Sequence, residues 1–153
     1  MKVLEMAEAG KSAIQGEFTA VDGTLLQSDS LKGKLVIMDF WATWCAPCLE
    51  RIPHFYEMAS HYNPSTATFL LVNVDTEMSH WKRFSEEKQW TKNSYWIGDE
   101  SANNPLLGYA LSKMGEGDTA YAILSLPKIV AIGKDGKIKA HYDGKIEGAE
   151  LGN

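Results

Sequence analysis

The sequence predicts an α/β domain with a central mixed β-sheet flanked by helices and an N-terminal β-hairpin. Three observations carry this. Residues 34–41 and 68–75 are short apolar runs rich in strand formers, and helically spaced residues lie between them. That is the pattern of a βαβ unit with parallel strands. Residues 16–26 alternate around Asp22-Gly23, a strong hairpin signal. Near the other end, Lys134-Asp135-Gly136 separates apolar residues 127–132 from residues 137–142, which reads as an antiparallel hairpin.

The elements follow in order. Gly33 punctuates the chain before the first core strand, residues 34–41. Leu49, Ile52, Tyr56 and Ala59 then recur at helical spacing, and Pro53 inside that helix should kink it. Residues 68–75 form the second buried strand. Residues 79–88 read as a helix with Trp81 and Phe84 facing inward. Residues 93–104 are polar apart from Tyr95-Trp96-Ile97, and residues 105–114 suit a further helix. Gly115-Glu116-Gly117-Asp118 is a loop.

Composition suits one domain spanning residues 1–153, with its core at about 16–147. Hydrophobic residues make up 44% and charged residues 23%, ordinary values for a globular chain. A net charge of −5 and a pI near 5.3 argue against nucleic acid and against an anionic membrane surface. No apolar run approaches the ~18 residues of a membrane span. Met1 to Glu8 carries acids where a signal peptide needs an apolar stretch. Either the protein is cytoplasmic or a leader or anchor precedes this segment.

The chain has two cysteines, and both lie in Trp44-Cys45-Ala46-Pro47-Cys48. Such a pair can close as a small disulfide ring and reopen, which suits thiol–disulfide exchange. Cys45 falls where a buried strand ends and a helix begins. Unpaired N–H groups and the positive dipole end at that point favour thiolate, the nucleophilic form. Pro47 is tolerated because the first helical turn has no use for its missing N–H. Cys48 lies about a turn deeper. Attack is therefore assigned to Cys45 and resolution to Cys48.

Other uses of the pair fit less well. A two-residue ring constrains little chain and would be a poor staple. Zinc needs about four ligands, and His54, His61, His80 and His141 form no second ligand pair. Copper carriage by a soft thiolate pair is a further alternative.

The segment Asp39-Phe40-Trp41-Ala42-Thr43-Trp44-Cys45-Ala46-Pro47-Cys48 closely resembles the active-site segment of the thioredoxin superfamily. Pro53, the strand Val72-Asn73-Val74-Asp75, Leu126-Pro127 and Gly144 match further family landmarks. The N-terminal hairpin, Leu31-Lys32-Gly33-Lys34 and Lys134-Asp135-Gly136-Lys137 resemble the TlpA/ResA-like branch of thiol–disulfide oxidoreductases. The resemblance implies a thioredoxin-like fold. It implies that Asp39 is a buried acid that takes the Cys48 proton, its pKa raised by burial. It also implies that Pro127 is a cis-proline facing the disulfide. Leu126 would then offer its backbone to an extended substrate, with Trp44 as an apolar platform and Ala46-Pro47 between the sulfurs.

Several positions depart from the family pattern. Where thioredoxins often place a lysine near the buried acid, this chain has Leu71, so Asp39 is expected to lack that partner. Lys128 replaces a small polar residue and puts a positive charge in or beside the groove. Residues 93–124 look long for a minimal thioredoxin and suit branch-specific recognition. After Gly148 the chain soon ends, so the family's last helix is expected to be short or absent.

The expected activity is a protein disulfide oxidoreductase acting as a reductant, as a monomer, with protein disulfides as substrates and an upstream thiol electron donor. No metal or organic cofactor is expected, because the Cys45–Cys48 pair carries the electrons. The resemblance favours an extracytoplasmic, periplasmic or membrane-tethered setting. A disulfide-forming oxidase or isomerase is the alternative, as is a non-enzymatic binding module on the same fold. A peroxide-reducing cysteine would need an upstream proline and threonine, where Met38 and Ala42 stand.

Overall fold

The computed structural model describes residues 8–142. Strands β1 (Glu17–Ala20) and β2 (Leu25–Gln27) form the N-terminal hairpin. Its turn is local chemistry: Asp22 Oδ1 accepts the Thr24 N–H at 3.0 Å and the Thr24 hydroxyl at 2.7 Å. Gly23 takes a φ of +89°, which a Cβ would disfavour. Next come β3 (Leu35–Trp41), α1 (Ala46–Ser60), β4 (Ala67–Asn73), α2 (Met78–Lys88) and β5 (Ser94–Trp96). A 3-10 segment, Pro105–Ala110, leads to β6 (Leu111–Met114) and β7 (Tyr121–Leu124). Strands β8 (Lys128–Ile132) and β9 (Ile138–Tyr142) complete the order.

Seven strands make one mixed sheet in the order β2-β1-β5-β4-β3-β8-β9. β3, β4 and β5 run parallel, while β1 and β8 pair antiparallel to their neighbours in that core. β6 and β7 form a separate antiparallel ribbon. Both faces of the central strands are covered, so they read as continuous apolar runs. On one face Phe55 of α1 meets Phe69 of β4, and Phe84 of α2 meets Trp41 of β3, with ring centroids 5.6 and 6.0 Å apart. On the other, Phe40 meets Tyr109 at 5.9 Å. The Tyr109 hydroxyl also accepts the Ile14 N–H at 2.6 Å, tying the chain before β1 to that layer.

The structure revises the sequence reading in two places. The polar stretch at 93–104 holds β5, a sheet strand wedged between β4 and β1. It is only three residues long, too short for an alternation signal. Residues 105–114 are not one helix. Leu106, Leu107, Tyr109 and Ala110 are buried on the 3-10 segment, but the chain extends at Leu111 to pair with β7. Sequence patterning assigned nothing to 121–124, the other half of that ribbon. The helix expected from the spacing of Leu49, Ile52, Tyr56 and Ala59 is α1; its buried stripe is Cys48, Arg51, Ile52 and Phe55, with Leu49, Tyr56 and Ala59 half-buried. Pro53 lies inside α1 as expected, and Gly144 lies outside the described residues.

Leu70 is 1% exposed and Leu25 56% exposed. In urea denaturation, Leu70→Ala is expected to cost about 2–5 kcal/mol through the cavity it leaves. Leu25→Ala is expected to stay within about 0.5 kcal/mol.

Candidate active site

β3 delivers the chain to the redox pair. Beyond Trp41 the backbone turns, with Cys45 N–H donating to Ala42 O at 3.0 Å, and Cys45 becomes the extended N-cap of α1. The first intrahelical bond runs from Leu49 N–H to Cys45 O, so the N–H groups of the first turn keep no helical acceptor. Pro47 occupies that turn. Cys45 and Cys48 are joined as a disulfide with a Cα–Cα distance of 5.3 Å. Cys48 is fully buried, whereas Cys45 keeps 6% of its surface. Trp44, Ala46 and Pro47 are exposed around it. An attacking group therefore reaches Cys45 first.

One turn beyond Cys48 on the same buried stripe is Arg51, and its Nη2 donates to Asp39 Oδ1 at 2.5 Å. The two side chains are 8% and 1% exposed. As expected, no lysine faces Asp39 from the neighbouring strand, but Arg51, which the sequence reading did not single out, supplies a cation. The cation comes from the helix above, not from the neighbouring strand, where Leu71 stands opposite Asp39. Burial pushes the Asp39 pKa up to about 6, and the Arg51 guanidinium partly opposes that rise. Asp39 Oδ2 accepts no hydrogen bond from the described residues. One carboxylate oxygen is thus held, and the other remains a proton acceptor that titrates near neutrality.

A second buried carboxylate shapes the loop before Cys45. Asp75 follows β4, and its Oδ1 accepts the Thr43 N–H at 3.0 Å. Asp75 is fixed in turn: its N–H donates to Asn73 Oδ1 at 2.8 Å, and Asn73 Nδ2 donates to its Oδ2 at 3.3 Å. The Trp96 indole N–H donates to Asp75 O at 2.9 Å. Loop residues 42–44 are therefore clamped from β4 and β5, which limits where Trp44 and Cys45 can lie.

The Leu126–Pro127 peptide bond is cis, and both residues are half-buried. Lys128 lies opposite Phe40 in the β3–β8 register, so Leu126-Pro127 sit at the end of β3 that leads to Cys45. Lys128 itself is 4% exposed and does not face an open groove. Its Nζ donates to Leu111 O and Ser112 Oγ, both at 2.8 Å. Among the described residues, no three His, Cys, Asp or Glu side chains gather as a metal site.

The whole of this arrangement lies within residues 9–141, which match the AhpC/TSA family. The chain belongs to the AhpC/TSA family. Within it, the chain is similar to the thiol–disulfide oxidoreductase ResA of Bacillus thuringiensis subsp. konkukian, at 28% identity over 92% of this chain and 73% of the relative. The fold is similar to the pneumococcal exposed lipoprotein thioredoxin from Streptococcus pneumoniae strain TIGR4. That pair has a TM-score of 0.66 and 25% identity, covering 87% of this chain and 91% of the other. A thioredoxin-family thiol:disulfide interchange protein from Chlorobium tepidum shares the fold at TM-score 0.67 and 24% identity, covering 95% and 92% of the two chains. This member of the AhpC/TSA family is thioredoxin-like, and its chemistry is that of a thiol–disulfide oxidoreductase.

Sequence reasoning missed Arg51, Asp75 and the anchoring role of Lys128. Arg51 had a usable signal, because position i+3 from a buried Cys48 shares its helix face. Asp75 and Lys128 had none, since their partners lie 32 and 17 residues away.

Because Asp39 is raised from its ordinary 3.8 to about 6, the folded state favours its protonated form. Its stabilising contribution is complete below the unfolded pKa and is lost as pH rises through the folded value. Replacing Arg51 with Met should lift the Asp39 pKa further, because the guanidinium would no longer oppose the effect of burial. Stability loss in Arg51→Met should then be small at about pH 5, where Asp39 takes a proton, and approach about 3–5 kcal/mol at about pH 9. Urea titrations across that range read this directly. Asp75→Ala, which strips the Thr43 N–H of its acceptor, is expected to cost about 1–3 kcal/mol and to lower exchange rates, read by stopped-flow fluorescence.

Proposed function

We infer that this oxidoreductase reduces disulfides in proteins. The observation that carries the reading is the Cys45–Cys48 ring at the start of α1, with Cys45 keeping 6% of its surface exposed, Cys48 fully buried, and Arg51 of the Asp39–Arg51 pair one helical turn after Cys48. In the reduced form, the Cys45 thiolate attacks one sulfur of the client disulfide. A mixed disulfide forms and the first client thiolate leaves. Cys48 then gives its proton to Asp39 and attacks Cys45 Sγ. The ring closes, the second client thiolate leaves, and the proton returns to solvent through Asp39. Two electrons have passed to the client. An upstream dithiol donor reopens the ring by the same exchange in reverse, so the sulfur pair is the whole redox cofactor.

The accessible rim fits this cycle. Trp44 forms an apolar shoulder beside Cys45, with Ala46 and Pro47 between the sulfurs. Leu126 and Pro127 lie at the same sheet end, where the Leu126 backbone is placed to pair with an extended client segment. The protein works as a monomer. Its similarity to ResA proteins and to a lipoprotein thioredoxin supports an extracytoplasmic setting. No helix among the described residues is long and apolar enough to cross a membrane.

Cys45→Ser is expected to abolish reduction of insulin by dithiothreitol. Cys48→Ser should instead accumulate a covalent mixed disulfide, visible by mass spectrometry and reversed by excess thiol. Full turnover in Cys45→Ser would refute the nucleophile assignment. The direction is tested by the equilibrium potential against glutathione: a value near about −120 mV, the strongly oxidising end of the scale, would make the protein an oxidase.

A further inference from the structure

We propose that the outer edge of the β6–β7 ribbon is a docking strand for the client, taking up an extended, apolar polypeptide segment beside the disulfide under exchange. The proposal rests on the reading of the chain as a protein disulfide reductant and names what its site recognises.

The ribbon is placed for this. Ser125 N–H donates to Ala110 O at 2.9 Å, which extends the ribbon's ladder at its base. Lys128 ties Leu111 and Ser112 to β8 immediately after Leu126-Pro127. Since Lys128 lies opposite Phe40, the ribbon springs from the same sheet end as the path from β3 to Cys45. A four-residue strand, Tyr121–Leu124, thus runs straight toward the candidate client-binding bend at Leu126 and Pro127.

Its hydrogen-bonding groups point the right way. In an antiparallel pair, bonded and non-bonded positions alternate. The Ala110–Ser125 bond keeps the register of Leu111 opposite Leu124, so the next bonded pairs are Ser112 with Ile123 and Met114 with Tyr121. Ala122 and Leu124 therefore turn their N–H and C=O groups away from β6. Leu126 is the next in that alternation, at the bend. Among the described residues β7 pairs only with β6, so this row is an open template for strand addition.

Its side chains favour an apolar occupant. Met114, Tyr121 and Ile123 are 42%, 59% and 39% exposed. Met114 and Tyr121 are cross-strand partners, and Ile123 is two residues along on the same face. Trp44, beside the nucleophile, is 67% exposed. A strand added along Ala122 and Leu124 is read mainly through its backbone, which suits clients of unrelated sequence. Its apolar side chains would cover the ribbon while its continuation enters at Leu126. Continuity with the disulfide site selects a client over a second copy of this chain.

The test uses the full chain and a client that cannot react. Carboxymethylated insulin B chain, labelled for fluorescence anisotropy, should bind the oxidised protein. Tyr121→Ser/Ile123→Ser removes the apolar face. Ala122→Pro removes an outward N–H without taking a bond from the ladder to β6. Each should weaken binding by roughly tenfold, while reduction of oxidised glutathione stays within about twofold. If Ala122→Pro does not fold, the double serine variant decides alone. Unchanged B-chain affinity in the variants, or no binding by the wild type, overturns the docking strand. So does a dimer in sedimentation velocity that the double serine variant dissociates, because the occupant is then a second copy. If B chain binds and the variants lose it, yet the wild type reduces no disulfide, the reductant reading falls and the docking strand stands.

Discussion

A carboxylate and a guanidinium, shut away together between the central strand and the first helix, set the terms for the rest of the molecule. Neither charge is tolerable there alone, since an isolated buried ion costs several kcal/mol. Asp39 fixes β3, Arg51 fixes α1, and the bond between them settles how the helix rotates against the sheet. That rotation turns Cys48 wholly inward and leaves Cys45 at the rim. The two cysteines thus differ in burial beside one buried ion pair.

The same pair sets the proton affinity of its carboxyl. Desolvation alone would drive Asp39 far from its ordinary range, and a fully compensating cation would return it there. Partial compensation leaves the carboxyl near 6, where it can gain or lose a proton close to neutral pH. Arg51 engages one oxygen and leaves the other for protons. Asp75 performs a different task with the same functional group. It is locked by Asn73 and holds the Thr43 amide, so it restrains the loop before Cys45.

Away from the sulfurs, the sheet end is completed by segments joined across the fold. Lys128 spends its ammonium on the base of the β6–β7 ribbon instead of presenting it to a client. The ribbon has too little partner surface to be buried, so its apolar residues and one strand edge remain open beside the disulfide site. Rigid attachment at the base and exposure at the tip are the properties expected of a recognition element.

Local patterns made much of this legible. The Asp22-Gly23 turn, the runs around β3 and β4, the 3.6-residue period after the cysteines and the Cys-x-x-Cys spacing are all short-range features. Each follows from backbone geometry or from the reach of two neighbouring side chains. The exchange chemistry, the strand-to-helix site and the parallel pairing of the first two core strands could therefore be read from residues alone. The identity of Asp39's partner, the strand at Ser94–Trp96 and the ribbon at Leu111–Leu124 could not. Each depends on groups brought together by packing: a helix face turned toward a strand, a three-residue edge filling a sheet, two segments pairing across a loop. Periodicity carries no record of such partners, because desolvation and pairing across distance arise only once the chain has closed on itself.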